Sequence, residues 1–148
     1  VSTVVVDDHV LRDVLAGQRP HDLGGLATAL ATTGLWLFRL SSSFAEPRVI
    51  GKLSAPVAVL PADERDRFVS RLIALPEDIA VVNLRHLAWP MARLQQHHRA
   101  AGRPLSAAMV EALAAAHALG AGIAVSRHDV GPSLKASAEH DGVAFHVL

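Results

Sequence analysis

Thr3–Leu11, TVVVDDHVL, is the stretch that decides the fold. Val4, Val5 and Val6 form an unbroken β-branched run without polar alternation, the pattern of a strand covered on both faces inside a parallel sheet. The run stops at two adjacent carboxylates, Asp7 and Asp8, where such a strand ends. Ligand chemistry in open α/β sheets gathers at the carboxyl ends of the strands, so the stretch points to a metal-assisted site. A carboxylate in this place also serves as the N-cap of a helix beginning near His9. Both readings stand at this point.

Composition sets the outer bounds. The 148 residues make one ordinary domain, 1–148, able to bury roughly two thirds of its extended surface. The chain is 51% hydrophobic and 19% charged, a balance that argues against global disorder. Fourteen basic residues against fourteen acidic ones leave no net charge, so nucleic acid is not held by bulk phosphate neutralisation, although a local basic patch is compatible with the count. With no Cys, thiol catalysis, thiolate zinc sites and disulfides are excluded. No apolar run reaches membrane-spanning length and the N-terminus lacks the order of a secretory signal, so a cytoplasmic protein without membrane attachment is expected.

Outward from the first strand, His9–Leu15 reads as a short helix with Val10, Leu11, Val14 and Leu15 facing inward and Arg12 and Asp13 outward. His21–Gly25 reads as a loop. Leu26–Leu40 reads as two helices with a boundary near Thr32–Gly34; the second, GLWLFRLSSSF, is apolar enough to require burial or a partner. Glu46–Pro61, with three prolines and a glycine, reads as an irregular excursion with room for a brief strand. An amphipathic helix follows over Ala62–Ala74, with Phe68, Val69, Leu72 and Ile73 as its apolar face. Next come a strand at Ile79–Val82, a helix over Arg85–Ala101 and a helix from Ser106 to Leu119 stopped by Gly120. The chain finishes with a strand at Ile123–Val125, the loop Ser126–Pro132, a helix over Ser133–His140 and a strand within Val143–Leu148. This alternation with short links is that of a parallel sheet with crossover helices.

The chemistry centres on carboxylates. Asp7 and Asp8 end the first strand, Asp129 follows a later one, and Glu111 lies about one and a half turns into the helix before it. Parallel neighbouring strands project Asp7 and Asp129 at one sheet edge, where the helix can bring Glu111 beside them. Acids converging in a small volume need a cation, and oxygen ligands suit Mg²⁺ or Mn²⁺, which activates water and holds a scissile phosphate. Asn83, at the end of another strand, is better read as a cap. The nine histidines show no zinc spacing such as HExxH, and adjacent His97 and His98 diverge on a helix. No phosphate-binding glycine loop or GxSxG element is present.

The opening residues 4–17, VVVDDHVLRDVLAG, resemble the start of PIN-domain proteins, in which a hydrophobic strand ends in Asp before a short Leu-rich helix. The ending is similar too: an Ala-rich helix bearing an acid, then Leu119-Gly120-Ala121, a short strand, a Ser-led loop with an acid, a helix and a last strand. The resemblance implies a three-layer α/β/α fold with a central, mainly parallel sheet. Many PIN domains are Mg²⁺- or Mn²⁺-dependent ribonucleases, often the toxin of a toxin–antitoxin pair. Carried onto this chain, the first acid is Asp7, and Asp8 and His9 stand where small hydroxylated residues are usual. The late-helix acid is Glu111 in a shortened register, the usual register giving Met109; the last acid is Asp129, or its place falls on His128. The middle acid has no counterpart: Arg39 stands where Glu is expected, and Glu46 lies too late.

Two functions follow. In one, Asp7, Asp8, Glu111 and Asp129 bind the metal, with Asp7, Glu111 and Asp129 catalytic, and RNA is contacted by Arg12, Arg39, Arg127 and His128. In the other, the fold is kept without turnover and binds an antitoxin or other protein partner, or a second copy in a homodimer, through the apolar Leu35–Leu40 helix.

Overall fold

A computed structural model describes residues 2–148. In chain order the elements are β1 (Thr3–Val6), α1 (Asp8–Leu15), α2 (Leu23–Leu26), β2 (Ala29–Thr33), α3 (Gly34–Ser42), α4 (Ala55–Ala58), α5 (Ala62–Ile73), β3 (Ile79–Val82), α6 (Leu84–Ala100), α7 (Ala107–Leu119), β4 (Gly122–Val125), α8 (Pro132–His140) and β5 (Phe145–Val147). The five strands form one sheet in the order β3-β2-β1-β4-β5, and every neighbouring pair is parallel.

The valine run explains why helices lie on both sides. Side chains alternate across a strand, so Val4 and Val6 enter one core and Val5 enters the other. Val4 and Val6 pack with Leu11 and Leu15 of α1, Leu40 of α3 and Phe68 and Leu72 of α5. Val5 packs with Leu87 of α6, Val110 and Leu113 of α7 and Leu134 of α8. The result is the three-layer α/β/α, PIN-like architecture. Gly120, in the left-handed region at φ 60, ends α7 where a side chain would be strained. No helix among the described residues is long and apolar enough to cross a membrane.

Three local expectations are corrected. The first of the two helices read in Leu26–Leu40 is strand β2, preceded by α2 within the stretch read as loop. Ala and Leu favour helix locally, but the ALATT segment is taken by the slot between β1 and β3, and Thr32 Oγ1 donates to Val6 O at 3.0 Å there. Residues 46–61 hold the one-turn α4 and no strand. On α5 only Phe68 and Leu72 are buried, and Ile73 is 81% exposed.

Candidate functional site

β1 lies where the connectivity reverses: the chain moves outward to β2 and β3, then returns to β4 on the other side. The crevice above such a switch is where α/β sheets bind ligands. Asp7 closes it. Its Oδ1 accepts from Val10 N at 2.8 Å, capping α1, and its Oδ2 accepts from Ser126 N at 2.9 Å, just beyond β4. One carboxylate therefore ties the ends of two neighbouring strands. Burial pushes the Asp7 pKa up to about 6, helped by the Asp8 charge and opposed by the two amides and His9.

Asp8 is wholly buried at the start of α1. Its Oδ1 accepts from His9 N at 2.9 Å and pairs with His9 Nδ1 at 3.0 Å. That hydrogen bond is the main reason the His9 pKa is raised, ahead of the opposing effect of burial. Asp8 Oδ2 has no hydrogen-bond donor, although Arg39 Nε lies 3.3 Å away, near enough for charge attraction but misaligned for a hydrogen bond. The Arg39 guanidinium continues to Asp129 Oδ2 at 3.5 Å, and His9 Nδ1 stands 4.0 Å from the same oxygen. Asp7, Asp8 and His9 each offer one donor atom within 4.8 Å of the others, a group capable of coordinating a metal ion.

Glu111 has a different engagement. Buried on α7, it accepts from Leu35 N at 2.8 Å through Oε1. Leu35 is in the first turn of α3, where amides lack helical partners and negative charge is favoured. Thr33 Oγ1 caps the same end by accepting from Trp36 N at 3.2 Å. Glu111 thus fastens α7 to α3, outside the Asp7–Asp8–His9 group.

The sequence-derived basic contacts divide. Arg39 and His128 line a cavity of about 510 Å³ with His9 and Asp129. Arg127 is exposed and outside that lining. Arg12, expected to face outward, is buried: its guanidinium holds Asp13 at 2.8 Å and reaches the carbonyls of Lys52 and Leu53. It anchors the 46–61 excursion, which supplies the cavity wall that sequence reading missed, including Glu46, Lys52 and Ser54. Ser42 and Ser43, at the end of α3, complete that wall. Asn83 is the cap expected of it, accepting from Arg85 N at 2.9 Å.

No family model matches the chain, and no curated protein does. Solved structures do. A structure of FitAB bound to an IR36 DNA fragment aligns with TM-score 0.56 and 16% identity over 97% of this chain and 94% of that one. A crystal structure of FitAcB from Neisseria gonorrhoeae aligns with TM-score 0.57 and 18% identity over 97% of this chain and 96% of that one. At these identities the likeness establishes a shared fold.

Proposed function

We propose that this chain is a PIN-like module with a degenerate acidic centre, in which Arg39 takes the charge position of a divalent ion and the protein acts by binding rather than by cleaving RNA. The observation that carries this reading is the Arg39 guanidinium between Asp8 and Asp129. Clustered carboxylates repel unless a cation sits among them, and here the chain supplies one.

The donor set does not fit Mg²⁺ or Mn²⁺ while Arg39 is in place. Each Asp7 oxygen already accepts one amide, one of the two Glu111 oxygens is engaged by α3, and the third member of the cluster is an imidazole, which leaves fewer free carboxylate lone pairs for the ion. Mg²⁺ prefers six oxygen ligands in near-ideal octahedral geometry. A divalent ion beside a guanidinium also meets strong repulsion in a partly buried site. Beside the acids Glu46 and Asp129, the cavity walls carry Lys52, His128 and the hydroxyls of Ser42 and Ser43, donors that an anionic group such as an RNA phosphate would use. The fold shared with a chain of FitAB, seen bound to a DNA fragment, supports a nucleic-acid-associated role, and an antitoxin-like protein partner is what the family resemblance of the sequence adds.

A second reading, the Mg²⁺- or Mn²⁺-dependent toxin-like ribonuclease, is favoured by one observation. Asp8 Oδ2 is buried without a hydrogen bond, as a metal-ligand oxygen is before its ion arrives, and the Arg39 side chain facing it is 48% exposed rather than packed into the core. One experiment separates the two. In thermal unfolding, millimolar Mn²⁺ leaves the wild-type midpoint unchanged, whereas Arg39→Glu, which exchanges the cation for the acid the resemblance expects, gains Mn²⁺-dependent stabilisation. A wild-type Mn²⁺ shift that disappears in Asp7→Asn, together with Mn²⁺-dependent RNA cleavage, overturns the binding reading and establishes the ribonuclease.

A further inference from the structure

Four of the nine histidines meet outside the acidic centre. His97 and His98 lie in the last turn of α6, His117 in the last turn of α7 and His140 at the end of α8. His117 precedes β4 and His140 precedes β5, so the group sits at the amino ends of the strands, the opposite end from Asp7. Asp141 stands in its middle. The Asp141 Oδ2 pairs with His98 Nε2 at 3.1 Å and with His117 Nε2 at 2.8 Å.

These bonds sort the imidazoles. His98 is fully buried and has no nitrogen to spare, because Arg103 Nε donates to its Nδ1 at 3.0 Å while its Nε2 holds Asp141. An ionised carboxylate only accepts, so His117 carries its proton on Nε2 and keeps the Nδ1 lone pair. A histidine whose other N–H is held by a carboxylate is the arrangement that orients metal ligands and raises their basicity. His97 and His140 are exposed, and the imidazole hydrogen bonds of the described residues belong to His9, His98 and His117 alone. The ring centres of His97 and His140 are 5.7 Å apart. Two imidazoles on one tetrahedral ion, each nitrogen about 2.0–2.1 Å from it, hold their ring centres roughly 5 Å apart. His97 also shares an open cavity of about 480 Å³ with His117, Trp89 and Arg93.

We propose that His97, His117 and His140 form a binding site for Zn²⁺, with Asp141 orienting His117 from behind and water in the fourth position. Imidazole donors suit Zn²⁺ and its late first-row neighbours, whereas Mg²⁺ and Mn²⁺ prefer oxygen. The three donor nitrogens are not gathered within 4.8 Å of one another before the ion arrives. All three side chains are exposed, so rotation between staggered rotamers closes the site. Arg93, in the same cavity, repels the ion and holds the affinity to a Kd on the order of micromolar. One ligand comes from each of α6, α7 and α8, so the ion ties together the helices of one layer. The inference is independent of the acidic centre.

Calorimetric titration of the full chain with Zn²⁺ near neutral pH tests it. One ion per chain is expected, and it raises the thermal midpoint. His97→Ala, His117→Ala and His140→Ala each weaken binding about tenfold or more, and Asp141→Asn weakens it about tenfold by releasing His117. Ni²⁺ in place of Zn²⁺ quenches the fluorescence of Trp89, which is 73% exposed, and Trp89→Phe removes the quenching while the affinity stays. Circular dichroism of the metal-free variants keeps folding in view; His97 and His140 hold no hydrogen bond, so their replacement leaves the metal-free fold intact. Absence of binding at millimolar Zn²⁺ overturns the inference. So does wild-type affinity in any one of the three alanine variants. Binding that disappears in His9→Ala instead places the ion in the acidic centre and overturns it as well.

Discussion

Asp7 makes the protein more stable in mild acid than at neutral pH. Its pKa is about 6 in the folded chain against 3.8 for the ordinary carboxyl. Between those values the folded state keeps a proton that the unfolded chain releases. Stability therefore falls as pH rises from about 4 to about 6. The displacement corresponds to about 3 kcal/mol across that window. His9 acts in the same direction at higher pH: its pKa is raised by the Asp8 hydrogen bond, so its contribution is full below the unfolded value of 6.5 and is lost as pH rises through the folded one. Asp141 acts oppositely but outside the window. Burial pushes its pKa up, but hydrogen bonds from His117 and His98 outweigh that and hold it below 3.8, so its contribution is lost only at lower pH. The assay is urea unfolding of wild type and Asp7→Asn at several pH values between about 4.5 and 7. Wild type loses on the order of 2–3 kcal/mol over that range. The variant keeps only the shallow slope due to His9. Asn accepts from one of the two amides and leaves the other unpaired, so its absolute stability is lower and the slope is the informative quantity. A wild type as stable at pH 7 as at 4.5, or an equal slope in both proteins, refutes the buried-carboxylate reasoning.

Two further outcomes concern the remaining acids. Glu111→Ala strands the Leu35 amide and leaves a hole beneath α3, costing about 2–3 kcal/mol, whereas Glu111→Gln keeps an acceptor and costs less than half of that; denaturant midpoints read the difference. Asp141→Ala removes the acceptor shared by His98 Nε2 at 3.1 Å and His117 Nε2 at 2.8 Å, costing about 2 kcal/mol near neutral pH, and the deficit shrinks in acid as the wild-type carboxyl protonates.

The sequence was most legible where one local rule sufficed. An unbroken β-branched run has one comfortable home, a strand with helices on both faces, and Val4–Val6 take it. The helices over 62–73, 84–100 and 107–119 followed from spacing, caps and glycine stops. β2 was not legible because ALATT has no strand signature strong enough to overcome Ala and Leu, and only the vacancy beside β1 decides it. The site divided the same way. Asp7 and Asp8 were marked by position, and Arg39 by standing where an acid was expected. The partners were not visible: Leu35 meets Glu111 across 76 residues, and Arg12 finds Lys52 O across 40. The cavity wall from residues 46–61 belongs to a segment without periodicity, which propensity does not read.

The acids also show why this centre is hard to classify from composition. A carboxylate at a strand end serves equally as metal ligand and as acceptor for free amides, because both uses require a negative charge beside unpaired donors. Asp7 joins β1 to β4 through Val10 and Ser126, and Glu111 joins α7 to α3 through Leu35. Each would be kept for folding alone, so their presence does not argue for turnover. Arg39 differs: at 48% side-chain exposure it supports little packing, and its two ion-pair partners are the acids of the centre. A half-exposed cation between two carboxylates is better explained by the charge it neutralises than by the fold it stabilises, so under the proposed reading residue 39, rather than the number of acids around it, is the position whose exchange tells binding from hydrolysis.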